Sequence, residues 1–216
     1  TILRVKGIPI QLHFTILFLV VYLIAGRLVD SESVLKNGLF VIAILGSVLL
    51  HELGHALTAL RFGIGIHSIT MYPIGGVARL MSEPAPKQEL WITIAGPAVN
   101  LVLAILGFLV LQVTSGEIRG FFSEFIVMNA VLLVFNMIPA FPMDGGRLLR
   151  AGLSLWIGED LASRIAAMLG IVIAGAMAVY AVINAQYILL FIAMMIYSGA
   201  QQERMIRNAR IQGLMK

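Results

Sequence analysis

Cysteine is absent from the 216-residue sequence, which excludes disulfides, thiolate metal ligands and cysteine nucleophiles. Charge is scarce too: 12% of residues are Asp, Glu, Lys or Arg and 60% are hydrophobic, whereas an average soluble domain has roughly 25% charged residues. No polar stretch is long enough to form a separate soluble domain, and no internal repeat duplicates any marked motif. One soluble core cannot bury this much apolar surface, so the medium around most of the chain is lipid. The net charge of +4 would suggest nucleic acid in a soluble protein. Here the basic residues lie between apolar runs and read as membrane-orientation signals, with no nucleic-acid partner.

A membrane-spanning helix needs about 20 mostly apolar residues. The pattern predicts an all-α polytopic membrane protein of about six transmembrane helices. They cover about Ile10–Gly26, Gly38–Phe62, Glu89–Val113, a stretch from Phe121 to the breaks at Pro139 and Pro142, Leu161–Ile183 and Ala185–Gly199. A basic amphipathic tail, Gln201–Lys216, suits anionic headgroups. The run Ile8–Ala25 reads as a retained span, because no small-residue cleavage signal follows it. After the second span, Gly63–Pro86 mixes Gly and Pro with the β-branched Ile64, Ile66, Ile69 and Val77, predicting a small β-rich segment. Placing the N-terminus in the cytoplasm leaves only Arg27, Lys36 and Arg119 on the far side. The positive-inside rule then predicts a multi-pass cell-membrane protein with both termini cytoplasmic and its chemistry toward that side. Residues 1–216 read as a single core.

The second span carries His-Glu-Leu-Gly-His at 51–55. One helical turn separates His51 from His55, so their imidazoles project from the same face and can share one Zn²⁺. Glu52 is turned about 100° from His51, beside the metal rather than on it, where a carboxylate can act as general base. The pattern also arises by chance on exposed soluble helices, but here it interrupts the apolar runs VIAILGSVLL and ALTAL. Ionisable groups at mid-membrane depth without a role would be penalised by roughly 2.5–3.5 kcal/mol for each charge. A catalytic zinc usually takes a third protein ligand, and Asp144, His67, Glu83, Glu89 and Asp160 are the candidates. Asp144 is favoured because it follows two prolines and precedes Gly145 and Gly146, which lets the backbone turn inward. Its alternative reading is the cap of a helix that starts at Gly145.

HELGH together with Asn136, Pro139, Pro142, Asp144 and Gly145, which fit N-x-x-P-x-x-P-x-D-G, resembles the site-2 protease family of intramembrane zinc metalloproteases. The resemblance extends along essentially the whole chain, including Ala-Gly-Pro-Ala-Val-Asn at 95–100. It implies one Zn²⁺ per chain held by His51, His55 and Asp144, with Glu52 as catalytic base. It further implies that Asn136 holds substrate or stabilises the oxyanion. The implied substrates are membrane-embedded, membrane-tethered regulatory proteins. Many relatives continue into a cytoplasmic pair of nucleotide-sensing CBS domains, a part this chain does not include, so no nucleotide regulation is assigned to it.

Gly75 and Gly76, in the turn Pro73–Gly76, are candidate substrate contacts: a strand edge there can pair with an unwound substrate by β-addition. A polar channel between the second span and the Asn136–Gly146 segment would bring water. Asn100 follows Pro97 in the third span and either satisfies neighbouring helices or supports the active site, so it joins the candidate substrate contacts. Asn129 reads as interhelical glue. His13 and His67 read as interfacial or locally bonded histidines, and Arg147 and Arg150 as residues of the cytoplasmic lipid surface, one of which could steady a carboxylate. The rival function is a membrane ion or metal transporter using the same His, Glu and Asp residues.

Overall fold

The computed structural model describes residues 3–16, 21, 31–72 and 75–211. In chain order the elements are β1 (Leu3–Val5), β2 (Ile8–Leu12), α1 (Ser31–Arg61), β3 (Ile66–Tyr72), β4 (Gly75–Leu80), α2 (Pro86–Val113), α3 (Gly116–Asn136), α4 (Asp144–Ile157), α5 (Glu159–Ile183) and α6 (Tyr187–Ile211). They form two compact units. The first comprises Thr1–Glu83 and Ala95–Leu133, and the second Pro84–Ile94 and Val134–Lys216.

In the first unit the sheet runs β1-β2-β3-β4. The β2–β3 pair is parallel and the other two pairs are antiparallel. The N-terminal hairpin corrects the expected first span: Ile10 pairs with Leu3 and Ile69 instead of opening a helix. The rest of that expected span falls mostly on residues 17–20 and 22–26, outside the described residues. Lys6 and Gly7 form the hairpin turn with φ of 49° and 84°, as a two-residue type I′ turn requires. Ile8 and Ile10 of β2 and Ile69 and Met71 of β3 are buried, while Leu3, Leu12 and His67 are exposed.

α1 packs on β3 and β4, with Ala56 and Ala59 fully buried. It ends at a left-handed Gly63, φ 76°. There the Gly63 N–H donates to the Leu60 carbonyl and the Ile64 N–H to the Ala59 carbonyl, the two bonds of a Schellman stop. That stop places the chain reversal into β3 two turns beyond HELGH.

In the second unit α5 packs on α4 and α6. Ala162, Ala166, Ala167, Gly170 and Ala174 make a buried stripe of small residues along α5, which lets helices approach closely in an apolar medium. Ala140, Met143, Ala174 and Ile196 form a core there, with Phe135, Ile173, Met177, Ile192 and Met195 packed around it.

Among the described residues, four helices are long and apolar enough to cross a membrane: Gly38–Arg61, Pro86–Val113, Gly116–Asn136 and Glu159–Ile183. On α3, Val127, Val131 and Val134 are 60–68% exposed, an outward stripe at helical spacing that water would penalise and lipid accepts. The expected sixth span and basic tail form one helix, α6, apolar at its start and charged from Glu203 onward. Residues 212–216 of that tail lie outside the described residues.

Candidate metal centre

The HELGH turn of α1 is buried: His51 and His55 are each 5% exposed and Glu52 is 8% exposed. The two imidazoles meet edge to face, their centroids 4.7 Å apart and their planes at 82°. His51 Nε2 and His55 Nε2 are 3.0 Å apart. Two nitrogens that each sit about 2.0–2.1 Å from one tetrahedral zinc stand roughly 3.3 Å from each other. The donor pair therefore stands within a few tenths of an ångström of the separation that a shared cation needs.

Two neighbours explain why the imidazoles converge there. The Nδ1 of His51 donates to Asn100 Oδ1 on α2 at 2.6 Å, which leaves the Nε2 lone pair for a ligand role. Gly96, one turn earlier on α2, provides the space: a Cβ there would lie 2.2 Å from His55 Nε2 and 2.7 Å from His51 Nε2. Asn100 in turn donates from Nδ2 to Asn129 Oδ1 at 3.0 Å. Asn129 donates to the Phe125 carbonyl at 3.0 Å. Both asparagines are fully buried. Asn129, expected to be helix glue, thus belongs to a chain of polar groups that ends on His51. Its place is not legible in the sequence because it depends on the register of α3 against α2. The Gly96–Asn100 part is open to view in AGPAVN, where a glycine and an asparagine share a helix face one turn apart.

Gly76 of β4 stands over the base candidate. A Cβ on it would be 2.2 Å from Glu52 Cγ and 3.1 Å from Glu52 Oε1. The side chain that closely approaches this glycine is Glu52. Among the described residues nothing beyond its chain neighbours lies within 4 Å of the Cβ position of Gly75, and Pro73 and Ile74 of the expected turn are outside the described residues. Among the described residues no strand pairs with the outer edge of β4.

Asp144 and Asn136 are placed in the second unit. Asn136 is the last residue of α3 and is half-buried. Asp144 is the first residue of α4 and 7% exposed. The N-cap is Met143, so Asp144 is the first helical residue and not the cap of a helix that starts at Gly145. The turn before it is tight, because a Cβ on Gly145 would sit 2.3 Å from the Ile138 carbonyl oxygen.

The other expected ligand candidates have different surroundings. Glu89 is buried against two cations, with Arg147 Nε at 3.6 Å and Arg150 Nη2 in direct contact. Asp160 pairs with Arg207 at 3.3 Å and its side chain is 73% exposed, while His67 and Glu83 are exposed. Arg150 also contacts Glu203 at 2.7 Å, and Glu203 accepts from Ser163 at 2.9 Å. Arg147 and Arg150 are thus members of an ion network, only 30% and 22% exposed. Arg147 Nη1 also stands 4.0 Å from Asp144 Oδ1. Burial pulls the Arg150 pKa down, but the charges and hydrogen bonds of Glu89 and Glu203 outweigh it, and the net direction is up. His13 bonds locally, its Nδ1 2.8 Å from Thr15 Oγ1, as expected.

Residues 39–123 and 112–181 match the model of peptidase family M50. A zinc metalloprotease of Methanocaldococcus jannaschii is 42% identical over 204 residues, covering 93% of this chain and 59% of that protein. Stage IV sporulation protein FB of Bacillus subtilis is 33% identical over 105 residues, which is 47% of this chain and 36% of that one. The chain thus spans about three fifths or less of the length of these two curated relatives. The solved structure of a site-2 protease from M. jannaschii superposes with a TM-score of 0.72 and 37% identity, over 94% of this chain and 93% of that one. The motif pair, the apolar helices and these matches agree: the chain is a membrane protein that belongs to peptidase family M50, with the fold of a site-2 protease.

Proposed function

We propose that this chain is a zinc metalloendopeptidase that hydrolyses peptide bonds within or near transmembrane segments of membrane-anchored regulatory proteins, with residues 1–216 acting as one catalytic core. The carrying observation is the pair of buried Nε2 atoms 3.0 Å apart in the space left by Gly96. His51 and His55 supply two ligands to one ion and Asp144 the third; all three are buried donors suited to a metal. When bound, zinc supplies Lewis acidity, making water acidic enough to lose a proton near neutral pH and polarising a carbonyl.

The chain's own residues do the rest. Glu52 takes the proton of the attacking water and delivers it to the nitrogen of the leaving amine as the C–N bond breaks. Asn136 directs its amide N–H at the substrate or at the developing oxyanion. A helical substrate hides its peptide bonds, so it must be unwound and its freed groups re-paired. The outer edge of β4 supports pairing by β-addition, and Gly76 would bring that extended segment past Glu52. The bias of basic residues supports cytoplasmic termini and a site toward the cytoplasm.

The test is zinc content per chain of the detergent-purified protein, with flux and cleavage assayed in proteoliposomes. We expect one zinc in the wild type and its loss in His51→Ala, His55→Ala and Asp144→Ala. A metal-free wild type, or metal flux without cleavage as a transporter would give, contradicts the reading.

A further inference from the structure

We propose that Asn129, acting through Asn100, fixes which nitrogen of His51 carries the proton, so that both asparagines are positioning residues for the metal centre. The inference rests on the reading of His51 as a metal ligand. It follows from the direction of the polar chain rather than from proximity alone.

An asparagine side chain has nearly the same shape when its amide is turned by 180°, so Asn100 by itself could present either its oxygen or its NH₂ to His51. The far end of the chain removes that choice. The Phe125 carbonyl can only accept, so Asn129 must turn its NH₂ toward it, across 3.0 Å. Asn129 then has its Oδ1 facing Asn100, which must answer with its own NH₂ at 3.0 Å. That leaves Asn100 Oδ1 facing His51 Nδ1 at 2.6 Å, and an oxygen acceptor requires the proton on Nδ1. Nε2 is thereby left as an acceptor, with its lone pair on the side that faces His55 Nε2 at 3.0 Å. A backbone carbonyl three links away sets the tautomer of a ligand. With both asparagines fully buried, no bulk solvent competes for these bonds. Glue between α2 and α3 would need the two asparagines to bond each other, but it would not need the chain to end on His51.

Removing Asn129 frees Asn100 to turn. In the turned state its NH₂ faces Nδ1, the proton moves to Nε2, and the ligand position is blocked. Loss of such a supporting bond typically lowers metal affinity about 10–100-fold.

The test is competition for zinc between the full-length protein in detergent and a fluorescent zinc chelator. It compares wild type, Asn129→Leu, Asn100→Leu, Asn129→Asp and Asn100→Asp, with the unfolding midpoint of each recorded. The expected result is a loss of affinity of about 10–100-fold in both leucine variants. The aspartates should recover part of it, because each keeps an oxygen where the chain requires an acceptor while giving up the N–H that Asn129 Oδ1 or the Phe125 carbonyl accepts. Leucine variants that fold and hold zinc as tightly as wild type would overturn the relay while leaving the metal reading intact. Equal loss of zinc in the aspartate and leucine variants would overturn the relay too. A wild type that binds no zinc would overturn both.

Discussion

Gly96 lies directly beneath His55, with room for a hydrogen but not for a methyl group: a Cβ on Gly96 would stand 2.2 Å from His55 Nε2. The obstructing atoms belong to buried rings held by their own helix, so they cannot swing away as the tip of a flexible side chain would. Gly96→Ala should therefore abolish zinc retention and cleavage together. Alanine raises helix propensity by about 0.8–1 kcal/mol over glycine, so the fold should survive. Metal analysis of the purified variant checks this, and wild-type zinc content would contradict it.

Gly76 acts on the base instead of the metal. A side chain there meets Glu52 Cγ at 2.2 Å, so Gly76→Val should displace the carboxylate and crowd the strand edge offered to substrate. Zinc should remain bound while cleavage falls by about 10²-fold or more, as expected when a general base is lost. Parallel zinc and turnover measurements decide the point: unchanged turnover would leave β4 with no part in the reaction.

Asn136→Ala should lower kcat by about 10²–10³, the usual effect of losing one oxyanion donor, with zinc content unchanged. A variant that raised KM alone would assign Asn136 to substrate holding.

Arg150 joins Glu89 on α2 to Glu203 on α6, and Phe141 stacks 5.6 Å beneath it. Arg150→Met keeps the length and removes the cation shared by two mostly buried carboxylates, a change that costs about 3–5 kcal/mol when one partner of a buried pair is removed. Because the Arg150 pKa is raised, the guanidinium stays charged through any working pH, so substitution is the way to remove its charge. Denaturation in mixed micelles should show the loss, and adding Glu89→Gln with Glu203→Gln should restore much of it. A neutral Arg150→Met would show that the network contributes nothing to stability.

What the sequence reveals is local. His51 and His55 one turn apart, the glycine-rich β segment and the boundaries of α2 and α5 all follow from spacing or hydropathy, and the structure has them within a few residues. The N-terminal hairpin is missed because the unbroken apolar run Ile16–Ala25 draws Ile8–Thr15 into one span, although Ile8–Thr15 alternates with Pro9, Gln11, His13 and Thr15 as a strand does. The ion network is not legible either: Arg150 is 61 residues from Glu89 and 53 from Glu203, and nothing local pairs them. For the same reason the sequence leaves Asn100 between glue and site. Its bond to His51 spans 49 residues and depends on helix registers that the hydrophobic pattern leaves free.

The most direct test of the central claim is cleavage of a membrane-embedded protein substrate in proteoliposomes by wild type and by Glu52→Gln, each with its zinc content measured. The metalloprotease mechanism predicts zinc in both and cleavage by the wild type alone. A Glu52→Gln protein that cleaves at the wild-type rate would contradict it.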